Sequence, residues 1–139
     1  MMHPDELETR ARAGEPAACL ALGRKLLRGR GIGRDYERAI ALFDTAARTG
    51  HPDALYLLGK CYLKGIGCTK DPAGGVSCLE AAANAGHAAA ARRLGDCFAQ
   101  GLGAPRNSEM ASYWYRKAAA RGDTRAYDQL LRLAEKEGF

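Results

Sequence analysis

The sequence predicts an all-α chain, a superhelical stack of three helix–turn–helix repeats with a capping helix at each end, on three observations. Landmarks return at a spacing of 36 residues: Leu22-Gly23, Leu58-Gly59 and Leu94-Gly95, then the alanine pairs Ala46-Ala47, Ala82-Ala83 and Ala118-Ala119. Glycines close each unit in the same register, at Gly14, Gly50, Gly86 and Gly122, each with an alanine four residues on. Between the landmarks, apolar and small residues recur with helical rather than strand periodicity. Self-similarity at this period is the signature of a solenoid, in which each repeat packs on its neighbours rather than around one centre.

Residues 1–13 read as an N-terminal capping helix, with Pro4 in its first turn and Asp5 and Glu6 suited to the positive end of the helix dipole. Repeat 1 is assigned to residues 14–49, repeat 2 to 50–85 and repeat 3 to 86–121. The first helices fall at Pro16–Arg28, Pro52–Lys64 and Ala88–Gln100. Their stripes are Ala18, Leu22, Gly23 and Leu26; Ala54, Leu58, Gly59 and Tyr62; and Ala90, Leu94, Gly95 and Phe98. Glycine inside a helix costs about 1 kcal/mol relative to alanine. Its return at one register therefore predicts a steric need, the close approach of a partner helix.

A glycine turn follows each first helix: GRGIGRD, GIGCTKD and GLGAPRN. Glycines at its first and third positions permit positive φ, and Asp35, Asp71 and Asn107 stand where an N-cap would open the second helix. The first turn is not a dinucleotide fingerprint, because position 34 is arginine and no strand precedes it. The second helices are expected at Tyr36–Arg48, Pro72–Ala85 and Ser108–Arg121, burying the series Leu42, Cys78 and Trp114 among small residues. The final segment, 122–139, starts a fourth copy with Ala126 and Leu130 but has Leu131 in the glycine's place. It reads as a C-terminal capping helix with a polar outer face.

The spaced motif A-x3-L-G-x2-Y, G-x-G, Asp, A-x2-W-x2-K-A-A and a closing glycine resembles the Sel1-like repeat (SLR) family of tetratricopeptide-like α-solenoids. Repeat 3 carries the second half of the motif in Gly101, Gly103, Ala111, Trp114 and Lys117-Ala118-Ala119. Repeat 2 carries the first half in Ala54, Leu58-Gly59, Tyr62, Gly65 and Gly67. The departures are Gly75 for alanine, Cys78 for the aromatic and Leu26 for tyrosine. The resemblance implies a right-handed superhelix whose first helices line a concave groove, and an adaptor or scaffold that binds other proteins, in bacteria or in eukaryotes; the Ala- and Arg-rich, Lys-poor composition points to a bacterial one. It also brings two alternatives: a β-lactamase-like hydrolase of the cysteine-rich SLR kind, and an immunity or antitoxin protein that neutralises a partner toxin. The first requires cysteines paired within each repeat, where this chain has alanines such as Ala47 and Ala54.

Composition narrows the partner. The net charge of +5 is spread without a run of like charges, so no nucleic-acid arm is expected, and no apolar stretch of about 18 residues suggests a membrane span. The first fourteen residues are polar and lack the apolar run of a secretory signal. Five cysteines (Cys19, Cys61, Cys68, Cys78 and Cys97), odd in number and without a CxxC, read as free thiols of a cytoplasmic protein. Catalytic motifs of the zincin, nucleophile-elbow, P-loop and S-x-x-K kinds are absent. His51 and His87 recur at one register and read as helix-start residues. No enzyme activity, cofactor or metal is expected, and the chain is expected to be monomeric.

By analogy with tetratricopeptide geometry, the groove positions are Leu20, Arg24 and Arg28; Tyr56, Lys60 and Lys64; Arg92, Asp96 and Gln100; then Asp128 and Arg132. Six of these are basic and two acidic, giving +4 along the strip. The expected ligand is an acidic peptide or protein segment, with Tyr56 as its anchor.

Overall fold

Proline, glycine and short polar caps cut the chain into helices, as the computed structural model shows for residues 4–29 and 34–138. These are α1 (Pro4–Arg12), α2 (Pro16–Arg28), α3 (Tyr36–Ala47), α4 (Pro52–Lys64), α5 (Pro72–Asn84), α6 (Ala88–Gln100), α7 (Ser108–Ala120) and α8 (Thr124–Glu137). No strand occurs among the described residues. The first helices match the expected bounds, and the second helices stop one residue earlier than expected. Gly31 of the first glycine turn and the first three residues of the N-terminal cap lie outside the described residues.

The caps work as their chemistry requires. Carboxylate or amide oxygens of Asp35, Asp71, Asn107 and Asp123 accept hydrogen bonds from the backbone N–H groups of Arg38, Gly74, Met110 and Ala126, at 3.0, 3.0, 3.1 and 3.0 Å. Each such cap stabilises its helix by about 1 kcal/mol. Gly29, Gly65 and Gly101 end α2, α4 and α6 with φ of 73°, 73° and 71°, the left-handed conformation that a side chain resists. The second glycine of the turn has a further role. A Cβ on Gly67 would lie 2.3 Å from the carbonyl oxygen of Tyr36, and one on Gly103 would lie 2.4 Å from that of Pro72. These two turns thus rest directly on the start of the preceding repeat's second helix.

Packing runs between chain neighbours, with an additional contact of α6 with α8. Inside each repeat, the first-helix glycine receives a large side chain from the second helix. A Cβ on Gly23 would meet the Phe43 ring at 2.6 Å, and one on Gly95 would meet the Tyr115 ring at 2.6 Å. The steric need inferred from the glycine register is therefore met by Phe43, Leu79 and Tyr115, all buried. This row lies one residue beyond the series read from the sequence. Leu42 and Cys78 are only half-buried, while Trp114 is buried.

The middle repeat solves its lack of volume differently. A Cβ on Gly59 would sit 3.1 Å from both Leu79 Cγ and the backbone oxygen of Gly75. Here α4 meets α5 with backbone at the contact, where the other two repeats interpose a ring.

Apolar residues form two clusters, one from α1 to α4 and one from α5 to α8, joined by α4, which contributes Leu58 and Cys61 to the first and packs Leu55 and Leu63 against the second. At the C-terminal end α8 buries Ala126 and Leu133. Its outer face is not polar as expected: Tyr127 is 57% exposed and Leu131 49% exposed. Leu131 occupies the glycine row, and no second helix packs against it among the described residues.

Candidate functional site

The eleven positions assigned to a groove lie on α2, α4, α6 and α8, and packing divides them into two groups. One group is consumed by the contacts between repeats. Leu20 is 6% exposed and joins the apolar cluster that includes Leu7 and Ala11 of α1, so it leaves the strip. The reason is hydrophobic: an aliphatic side chain beside the capping helix gains more from burial than from water.

Arg92 is likewise buried, its Nε 3.1 Å from Asp123 Oδ2. Asp123 uses its second oxygen to cap α8, so one carboxylate ties α6 to α8 and starts the latter. Asp96 accepts the hydroxyl hydrogen of Tyr115 at 2.6 Å. Burial, reinforced by that hydrogen bond, pushes ionisation of the Tyr115 phenol well above its ordinary range.

Tyr56 stacks on the imidazole of His87, with ring centroids 4.5 Å apart and planes 28° from parallel. His87 Nδ1 accepts from the backbone N–H of Ala90 at 3.0 Å, which places the ring proton on Nε2, 3.0 Å from Asp53 Oδ1. His87 is thus the helix-start residue that its register suggested, and it also joins α4 to α6. His51, at the same register, makes no side-chain cap. No group of three or more metal-ligating side chains occurs among the described residues.

The second group is accessible. Arg28, Lys64, Gln100, Asp128 and Arg132 are exposed, and Arg24 and Lys60 are half-exposed. The Lys60 ammonium lies 5.1 Å from the centroid of the Tyr56 ring, a cation–π contact. Arg24, Arg28, Lys60 and Lys64 form no ion pair with any described residue. They stand as like-charged pairs four residues apart on α2 and on α4, an arrangement that destabilises a helix by about 0.2–0.5 kcal/mol per pair.

Two arginines missed by the groove assignment, Arg93 and Arg125, line a recess with Arg92 and Arg132 between α6 and α8. They lie one and three residues away from the rows taken from tetratricopeptide geometry. The signal that could have found them is that Ala21 and Leu57 occupy the row of Arg93, and Ala17, Asp53 and Ala89 that of Arg125.

The thiols are free: Cys19, Cys61 and Cys97 are buried, while Cys68 and Cys78 are half-buried. Burial raises Cys61 and Cys97 to about 11, far from the low values of reactive thiolates. Cys68, in the second glycine turn, is also raised, by burial and then by Asp71.

The family model for the Sel1 repeat matches residues 16–51, 52–87 and 88–123. The chain is similar in structure to a protective antigen of uropathogenic Escherichia coli displaying an SLR fold, with a TM-score of 0.92 and 32% identity, covering 96% of this chain. The chain spans only 28% of that protein. A Sel1 repeat protein from Oxalobacter formigenes superposes with a TM-score of 0.80 at 35% identity, over 91% of this chain and 95% of its own. Cysteine rich protein B of Helicobacter pylori shares the fold, with a TM-score of 0.71 at 19% identity over 89% of each chain. No curated protein matches the sequence.

Proposed function

The chain belongs to the Sel1 repeat family, whose members are in general protein-interaction scaffolds, and we propose that it is a non-enzymatic adaptor holding an acidic protein segment. The segment lies across α2 and α4, against Arg24, Arg28, Lys60 and Lys64, and continues towards Gln100 and Arg132. One observation carries this reading: four cations on adjacent first helices have no acidic partner in the described protein.

Charge complementarity on such a face sets association rate and partner choice more than raw affinity. Tyr56 is not a free anchor, because its ring is stacked on His87 and lies under the Lys60 ammonium. The free thiols favour a reducing compartment, which supports cytoplasmic residence. No described helix is long and apolar enough to cross a membrane.

The test is affinity capture from the native host with the wild-type protein and with Lys60→Glu/Lys64→Glu. The reading expects a protein with an acidic segment that the wild type retains and the variant loses. A partner retained equally by both would place binding elsewhere.

A further inference from the structure

We infer that the recess between α6 and α8 is a carboxylate-binding site, holding an acidic side chain of the partner between Arg93, Arg125 and Arg132. This rests on the reading above that the partner is acidic. The recess has a volume of about 320 Å³, at the small end of the range for ligand sites.

Its charges sort into those already satisfied and those that are not. Arg92 is neutralised by Asp123. Asp96 accepts from Tyr115, and Asp128 also faces the recess. Arg93, Arg125 and Arg132 make no ion pair or side-chain hydrogen bond with any described residue. Three unpaired guanidinium groups against two carboxylates leave one positive charge in excess, which a single monoanion balances.

A second, independent observation points the same way. The Nε of Arg93 is buried, and its hydrogen has no acceptor among the described residues. Leaving a buried donor unmatched costs about 1–3 kcal/mol, and folded proteins keep few such groups. The repeat itself does not require arginine there, since Ala21 and Leu57 fill the equivalent positions in the first two units. Nor does it require arginine at 125, where the earlier units have Ala17, Asp53 and Ala89. The cluster is thus specific to this end of the stack and gains nothing from the fold.

The ligand chemistry follows from the same groups. A planar carboxylate matches the two-pronged guanidinium donor. A phosphate dianion would exceed the charge to be balanced and would meet the carboxylates of Asp96 and Asp128.

The experiment follows the Arg93 Nε–H resonance of the folded, 15N-labelled protein. It is titrated separately with butyrate, a monocarboxylate of the length of a glutamate side chain, with an end-blocked oligoglutamate peptide and with inorganic phosphate. The expected result is a saturable shift with butyrate and with the peptide, and a much weaker response to phosphate. Arg132→Gln and Arg125→Gln, both on the exposed side of α8, should each weaken butyrate binding about tenfold, the equivalent of one charge-assisted contact. Lys60→Glu/Lys64→Glu should bind butyrate like the wild type, so failure of the α2–α4 strip and failure of the recess are read separately. The absence of a saturable butyrate shift, or binding of phosphate as tight as butyrate, would overturn the inference. A response to butyrate without one to the peptide would refute the partner side chain as its occupant.

Discussion

Gly95→Ala is predicted to destabilise the protein, against the sign that helix propensity alone requires. Alanine in place of a mid-helix glycine favours the helix by about 1 kcal/mol. At position 95, however, the new Cβ would lie 2.6 Å from both Cδ1 and Cε1 of Tyr115. That ring is buried, and its hydroxyl is anchored 2.6 Å from Asp96 Oδ1, on the same helix as Gly95. It cannot retreat without losing this hydrogen bond. Overpacking of this kind costs about 1–3 kcal/mol, and a hydrogen bond to a charged group contributes about 1.5–3 kcal/mol. The net expectation is a loss of about 2–4 kcal/mol, a fall in Tm of roughly 6–14 °C for a chain of this size. Urea denaturation of Gly95→Ala, Tyr115→Phe and the double variant is the assay, because Tyr115→Phe releases the ring and should reduce the cost of the alanine. A neutral or stabilised Gly95→Ala would refute the reasoning that these glycines exist to admit the second helix.

Three further outcomes follow from the same contacts. Asp123→Ala should cost about 4–6 kcal/mol in urea denaturation, because it removes a cap and leaves Arg92 buried and unpaired; Asp123→Ser should recover about 1 kcal/mol by restoring the cap. Equal stability of the two variants would show that the cap contributes nothing. Cys61 and Cys97 have folded-state values raised from 9.0 to about 11, so their contribution is complete below pH 9 and is lost as pH rises towards 11, where the unfolded thiols ionise first. Cys97→Ala should flatten the fall in Tm across that window, and an unchanged slope would contradict the assignment. Amide hydrogen exchange should be faster at Gly74–Cys78 than at Ala111–Ala118, because two consecutive glycines weaken the start of α5 by about 1 kcal/mol each; equal protection would show that the close α4–α5 contact fully offsets them.

The register of 36 made the helices legible, because glycine and the capping residues act locally and return with every unit. Depth of burial was less legible. A second helix touches its own first helix and that of the next repeat, so the rows of both Leu42 and Phe43 are apolar, and only the packing shows that Phe43, Leu79 and Tyr115 lie deepest. The accessible face was harder still. Comparing equivalent positions aligns Leu20, Tyr56 and Arg92, but what occupies two of them lies 31 residues further on: His87 on Tyr56 and Asp123 on Arg92. These contacts cross between units and change chemistry from ring stacking to ion pair, so no repeat pattern announces them. Exposed Tyr127 and Leu131 on α8 show the same limit, since a polar cap was expected from Arg132, Glu135, Lys136 and Glu137.

The central claim is that the unpaired cations of α2 and α4 bind an acidic chain, and a fluorescence titration with an end-blocked oligoglutamate peptide at low ionic strength tests it most directly. Individual exposed ion pairs contribute about 0.2–1 kcal/mol, so reversing Lys60 and Lys64 together should weaken binding about tenfold or more. The difference should shrink as salt shortens the screening length to about 8 Å at physiological strength. Equal affinity of the wild type and Lys60→Glu/Lys64→Glu at low salt would contradict the account.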